Sequence, residues 1–328
     1  MSEQKSKANL SRRKFVVFAP AYNEKQGGAI CLHKLVDLLN RSGFEAYLFP
    51  TFENIVLNKR KFLVPTLKFA REFYRSFEKF HTNKHFITPV YSGSVKALET
   101  DEWITVYYEQ VLGNPLSARN VVRWLLHQPG FHTGSVYYGY NELHIKFNEA
   151  IRDFHYPNSV LADFIMPIIH YPLELYNYHN ITPLRNGSAY CLRKGKGKAI
   201  QHELSKSILI DNLPHEKIAD IFKRVNTFIS YDSYTAYSRF AALCGCDSIV
   251  IPDDGVTELQ WYPNPEDRFG VAYGFDKIET ARETRELLYK KILLEQEQLE
   301  QVVLEFADKA DNFFDRPRYN LFRKKHAL

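Results

Sequence analysis

The chain is poor in sulfur, with four cysteines and two methionines in 328 residues. Cys31, Cys191, Cys244 and Cys246 form no CxxC pair, and Cys244-Gly245-Cys246 is too tight for a usual zinc knuckle. Buried free thiols in a reducing compartment are the expectation. No apolar run approaches the ~20 residues that a membrane span needs. Met1 to Lys14 is polar and charged, without the apolar core of a signal peptide. Excess charge of one sign is also scarce. A net charge of +5 suits an anionic ligand or an acidic membrane surface and is too diffuse to imply nucleic acid. The common nucleotide signatures are missing as well. Gly27-Gly28 lacks the spacing of a dinucleotide fingerprint, and Arg193 to Lys198 lacks the Ser/Thr and length of a P-loop.

What is present is an α/β pattern in two units. The length suits two domains of ordinary size, and 45% hydrophobic residues can fill two cores. Phe15 to Pro20 reads as a buried strand, Ala21 to Gly28 as a loop, Ala29 to Ser42 as a helix stopped by Gly43, and Glu45 to Phe49 as a second strand. Gly27 and Gly28 allow close backbone approach to a ligand, or simply a flexible loop. Lys59 to Phe80 interleaves basic and aromatic residues and predicts an amphipathic helix after Pro65. Such a face suits an anionic membrane or single-stranded nucleic acid, or is a solvated basic face over a packed stripe. Trp103 to Tyr108 reads as a strand ending near Glu109, and Ser117 to Leu126 as a helix. Glu24, Glu109, His127 and His132 are the acid/base candidates, with structural histidines as the alternative. The Pro-, Tyr- and Asn-rich stretch from Ile165 to Gly187 reads as a connection between domains.

The second unit opens with strand Ser188 to Leu192 and then Arg193-Lys194-Gly195-Lys196-Gly197-Lys198. Four cations and two glycines at the carboxyl end of a strand suit an anion, although a solvated basic loop has the same composition. Strand Ile208 to Asp211 and Asn212-Leu213-Pro214 lead into helix Lys217 to Arg224. Thr227 to Ser230 then feeds the turn Tyr231-Asp232-Ser233-Tyr234-Thr235 and a helix closed by Gly245. Ser233 or Thr235 is expected to cap that helix, whose free N–H groups would face a phosphate; the plain alternative is capping alone. Ser248 to Pro252 is the next strand, Asp276 to Asp311 a long charged helix, and Arg316 to Lys325 a basic aromatic tail.

This order of parts resembles a bacterial GT-B glycosyltransferase of surface polysaccharide assembly (capsule or O-antigen, rhamnosyltransferase-like), over residues 15 to about 312. The first strand with Gly27-Gly28 is similar to the acceptor-side loop of that class. Asn212 to Arg224 resembles the base-holding piece, and Phe228 to Cys246 the ribose and diphosphate region. Gly270 to Phe275 is similar to rhamnosyl and related transferases. The resemblance implies two Rossmann-like domains facing each other across a cleft. It divides the chain into an acceptor-side domain 1–170, a nucleotide-sugar domain 171–312 and a tail 313–328 packing on the first domain or on membrane. It implies that Arg193 and Lys198, with Lys194, neutralise the diphosphate, and that Asn212, Leu213, Tyr231, Asp232, Ser233 and Thr235 complete the donor site. The Glu-x7-Glu pattern of common retaining members is absent: Asp232 stands near its first position, but Phe240 and Ala241 carry no carboxylate. No DxD motif stands out, so transfer without a metal or other cofactor is expected. The implied partners are a nucleotide sugar, a glycan or lipid-linked glycan acceptor and an anionic membrane surface, with no nucleic acid. The implied location is the cytoplasm or the inner face of the membrane. A nucleotide-sugar epimerase of the same fold and a nucleic-acid-binding protein using Lys59 to Phe80 are the rival readings.

Overall fold

The computed structural model describes residues 13–51 and 77–316. Most of the basic aromatic segment from Lys59 to Phe80, and the tail from 317 onward, lie outside them. The chain divides into two units, Met1–His170 with Gln298–Leu328, and Tyr171–Glu297. Each is an α/β unit on a parallel sheet, in agreement with the expected class of two Rossmann-like domains.

The first unit contains β1 (Lys14–Ala19), α1 (Gly27–Arg41), β2 (Ala46–Pro50), β3 (Trp103–Tyr108), β4 (Asn120–Leu125), β5 (Leu143–Lys146) and β6 (Val160–Ile165). They pair in parallel in the order β2-β1-β3-β4-β5-β6. Parallel strands are covered on both faces, so they read as continuous apolar runs. In β1 the period of two splits that run between two cores. Phe15, Val17 and Ala19 join Ile104, Val106, Val122, Trp124 and α1, whereas Val16 and Phe18 join Phe49, Tyr91, Trp103 and Tyr107.

The structure differs from the sequence reading in three respects. Ser117 to Leu126 is not a helix. Its second part is β4, with all six residues buried, which no amphipathic helix achieves. Ser117 sits at φ 50°, outside helical space. Val121, Val122 and Trp124 fit a pleated surface, and periodicity alone does not separate a short apolar run into strand or helix. The strands β5, β6 and a strand in the second unit, Val271–Tyr273, are additions. Finally, α5 (Ile278–Phe314) does not belong wholly to the second unit. Its residues Leu299, Val303, Phe306, Ala307, Ala310 and Phe314 recur at helical spacing and complete the core of the first unit, so the second domain does not extend to 312.

Arg123 lies in the middle of β4 and is fully buried. Its guanidinium forks onto Glu142, Nε to Oε2 at 2.9 Å and Nη2 to Oε1 at 2.7 Å, and donates to the carbonyls of Val111 and Gly113. It also lies 4.2 Å from the Tyr138 ring centroid, and the Tyr138 hydroxyl donates to the Glu109 carbonyl. One buried cation thereby ties down the loop that leaves β3.

The second unit contains β7 (Ser188–Cys191), β8 (Ser207–Leu209), α2 (His215–Arg224), β9 (Thr227–Ser230), α3 (Tyr237–Leu243), β10 (Asp247–Val250), α4 (Glu258–Trp261), β11 (Val271–Tyr273) and the N-terminal part of α5. Its five parallel strands run in the order β11-β10-β9-β7-β8. Gly245, at φ 81°, closes α3 in the left-handed conformation.

Removing the counter-charge of Arg123 by Glu142→Leu strands a buried guanidinium. A loss of about 3–5 kcal/mol is expected, read as a lowered urea midpoint at unchanged slope.

Candidate functional site

Both sheets reverse strand order next to their first strand: β2 and β8 lie on one side, and every later strand on the other. The reversals fall between β1 and β3 and between β7 and β9. Open parallel sheets bind ligands outside the carboxyl ends of the strands at such points.

In the second unit, β7 runs directly into the one-turn helix Arg193–Gly195. Arg193 sits at φ 44°, and its N–H donates to the Asp211 carboxylate at 3.0 Å, beside the Leu192 N–H at 3.3 Å. The turn then presses on the end of β9. A Cβ on Gly195 would stand 1.9 Å from the Tyr231 carbonyl oxygen, so only glycine fits. Tyr231 is fully buried, and its hydroxyl accepts from the Gln201 N–H at 2.8 Å. Its side chain braces the loop.

The cations of this loop differ in freedom. Lys198 Nζ contacts Ser233 Oγ at 2.9 Å, the Ile251 carbonyl at 2.7 Å and Asp253 Oδ1 at 2.7 Å. Arg193 stacks 5.0 Å from the Tyr237 ring centroid, with Nε 3.9 Å from Asp232 Oδ2. Lys194 is exposed. Ser233 is a relay, not a cap: its hydroxyl donates to Asp253 Oδ2 at 2.7 Å. The Thr235 hydroxyl accepts a long 3.4 Å contact from the Tyr237 N–H. The capping residue of α3 is Ala236, without a side-chain cap, and the helix has seven residues. The expected phosphate-facing helix start is therefore not formed in that way. Asp232 Oδ1 accepts from the Tyr234 N–H at 3.2 Å. Asn212 is exposed at φ 68°, and Leu213 closes the same turn by donating to Ile210.

Two residues that the sequence reading left out belong here, Asp211 and Asp253. Each stands just past an apolar strand run, as Arg193 and Asp232 do: Arg193, Asp211 and Asp232 lie two residues beyond β7, β8 and β9, and Asp253 three beyond β10, and that placement is the available signal. With them the strand ends carry Arg193, Lys194 and Lys198 against Asp211, Asp232 and Asp253. The cluster is mixed in charge rather than a purely cationic cradle.

In the first unit, Glu109 stands one residue past β3 and is 3% exposed. Burial pushes its carboxyl above the ordinary glutamate range. Opposing this are hydrogen bonds, including those from Gln110 and the Leu126 N–H, and the charge of His132. His127 and His132 follow β4, with ring centroids 4.8 Å apart. His127 Nδ1 accepts from the Gln128 N–H at 2.8 Å, so the neutral ring carries its proton on Nε2 and is fitted to donate rather than to abstract. Gly27 and Gly28 open α1, and a Cβ on Gly28 would only touch Leu126 at 3.5 Å. Glu24 is half-buried in the loop after β1. Thus Glu109, Leu126, Gly28 and the two histidines come together at this strand edge.

Cys191, Cys244 and Cys246 are free and buried, and Cys31 is half-buried. Burial pushes Cys191 and Cys246 up to about 12 and Cys244 to about 11. Among the described residues no helix is long and apolar enough to cross a membrane, and no group of three or more His, Cys, Asp or Glu is placed to hold a metal ion.

No family model and no curated protein matches this chain. Among solved structures, it is similar to a variant of the Thermobaculum terrenum O-GlcNAc transferase at 9% identity and TM-score 0.45, over 93% of this chain and 68% of the other. It is similar to the T4 phage β-glucosyltransferase at 10% identity and TM-score 0.36, over 92% and 97%. A Neisseria meningitidis UDP-GlcNAc 2-epimerase bound to UDP-GlcNAc follows at 9% identity and TM-score 0.31, over 92% and 97%. These are faint likenesses of general outline.

Two outcomes are expected. Gly195→Ala forces a methyl group into backbone and costs about 3 kcal/mol or more, measured by thermal and urea unfolding. For Glu109, folding raises the pKa, so its favourable contribution is present below the ordinary value of 4.5 and is lost as pH rises through the raised value. Glu109→Gln therefore gains stability relative to wild type as pH increases from 4 to 7, followed by urea midpoints.

Proposed function

We propose that the protein is a glycosyltransferase that moves a hexosyl or deoxyhexosyl group from a nucleotide sugar to a glycan acceptor. One observation carries this reading: the mixed cluster at the strand-order reversal of the second sheet. A nucleotide sugar is anionic at its diphosphate and rich in hydroxyls elsewhere. Arg193 and Lys194 suit the phosphates, and carboxylates such as Asp232 suit hydroxyl donors. Asn212 and Leu213, on the turn after β8, are assigned to the nucleoside. Thr235 is assigned to the same donor site.

The acceptor chemistry is assigned to the first unit. The acceptor oxygen bonds to the anomeric carbon as the bond from that carbon to the diphosphate oxygen breaks, its electron pair leaving with the diphosphate. The acceptor proton passes to a base. Glu109 and His132 suit that role better than His127, whose neutral tautomer presents a donor. Glu24 remains in the set by its place after β1. Charge on the departing diphosphate is stabilised by Arg193 and Lys194, without a metal in this scheme. A surface-polysaccharide acceptor, free or lipid-linked, and work at the inner face of a membrane belong to the same proposal.

Thermal unfolding with a panel of nucleotides and nucleotide sugars tests the reading. A ligand of the folded state at a hundredfold excess over its Kd stabilises by about 2.7 kcal/mol. Stabilisation by one nucleoside diphosphate, lost in Arg193→Ala, is the expected result. A folded protein stabilised by no member of the panel contradicts it. Conversion of a nucleotide sugar without any acceptor would assign the site to an epimerase instead.

A further inference from the structure

An ammonium group has three N–H donors, and all three of Lys198 are engaged. Ser233 Oγ, the Ile251 carbonyl and Asp253 Oδ1 lie 2.9, 2.7 and 2.7 Å from Nζ. In this state Lys198 has nothing left to offer a phosphate. The three partners are not equivalent. Ser233 and Ile251, in the turns after β9 and β10, are buried, 7% and 1% exposed. The Asp253 side chain is 40% exposed and reaches Lys198 from the loop after β10. Its backbone is fixed independently, because its N–H donates to the Tyr273 hydroxyl, which in turn donates to the Val256 carbonyl. Rotation about the side-chain bonds of Asp253 alone would free one N–H of Lys198 and leave the loop in place.

We propose that Asp253 is a resident counter-ion, held on Lys198 until the diphosphate of a nucleotide ligand replaces it, and that it thereby sets the affinity and the phosphate requirement of the site. The inference rests on the nucleotide-sugar reading above. Its chemistry is competition between anions for one donor. A carboxylate brings one negative charge, whereas a diphosphate brings more charge and more acceptor oxygens, so it displaces Asp253 where a neutral nucleoside does not. Protonation offers no other release near neutral pH. Burial works to raise the Asp253 carboxyl, but hydrogen bonds from Lys198 and Ser233 hold it below its ordinary 3.8. The carboxylate stays charged at every pH above that value, and only a stronger anion removes it. Ser233 supports the arrangement by donating to Asp253 Oδ2 while accepting from Lys198. When the diphosphate arrives, Lys198 keeps its two buried contacts and turns the third toward the ligand.

The neighbouring Asp254 supplies an internal control. It is exposed and forms no ion pair among the described residues. Asp253→Asn and Asp254→Asn remove the same formal charge from adjacent positions, but only the first frees Lys198. The asparagine also preserves size and an acceptor for Ser233.

The test is calorimetric titration of the full chain with UDP, GDP and ADP, with their nucleosides, and with inorganic pyrophosphate. Asp253→Asn is expected to bind the preferred diphosphate roughly fivefold more tightly than wild type, the worth of one partly exposed ion pair. Asp254→Asn is expected to change it less than twofold, and neither variant to change nucleoside binding. If Asp253→Asn does not fold, by circular dichroism and urea unfolding, Asp253→Ser is read in its place. Equal effects of the two asparagine variants, an equal gain for the nucleoside, or weaker diphosphate binding by folded Asp253→Asn would overturn the counter-ion role. The nucleotide reading would stand in each of those cases, because wild type binds. Absence of binding by wild type and every variant would overturn both.

Discussion

The second unit turns on a contact between two stretches of backbone. Gly195 passes so close to the Tyr231 carbonyl that a side chain of even one carbon has no place there. This approach joins the end of β7 to the end of β9, the two strands that flank the reversal of sheet order. It brings Arg193 to the Tyr237 ring on one side of the turn and Lys198 to Ser233 on the other. Without it the residues at the two strand ends would remain separate loops.

Charge at this edge is balanced by residues arriving from different strands. Asp211 occupies the N–H groups that leave β7, Asp253 occupies Lys198, and Asp232 lies beside Arg193. Asp232 and Asp253 offset the desolvation that Arg193 and Lys198 would meet alone at a partly covered strand edge, and Asp211 satisfies backbone N–H groups. A cluster made of both signs also has more chemical range than a cationic one. Its cations are suited to phosphate oxygens and its carboxylates to hydroxyl groups, the two kinds of group that the proposed nucleotide sugar carries together. In the first unit the corresponding edge holds a different set, Glu109 in an apolar setting beside two imidazoles, and there the buried Arg123 fixes the loop on which Glu109 begins.

Much of this was legible in the residues. Buried parallel strands leave continuous apolar runs, and β1, β2, β3, β7, β9 and β10 were all read from theirs. Gly43 and Gly245 marked helix ends, as residues that must turn left-handed. The failures have physical causes. Ser117 to Leu126 has apolar residues that satisfy either period, and the outcome was decided by burial on both faces, which only the packed sheet supplies. Arg123 in a central strand is invisible as a structural residue because its partner Glu142 lies on another loop, 19 positions away. The cationic stretch after β7 was found because it is contiguous, whereas the carboxylates that balance it come from separate strand ends. A cluster assembled by topology is hard to see in a linear text, even when each carboxylate stands two or three residues past its strand.

The long helix α5 has a consequence for how the protein comes into being. Its residues up to Glu297 belong to the second unit, and those from Gln298 to the first, whose core takes in Val303, Phe306 and Ala310. On the ribosome, residues 171–297 are all synthesised before the first unit has its last core residues. Domains generally fold as units during synthesis, the N-terminal one first. Here that order is reversed for completion: the unit begun first is finished last. Until Phe314 emerges, one face of the first sheet, covered in part by α1, lacks the rest of its cover, and the nascent chain carries an exposed apolar surface for the whole time that the second unit is being made.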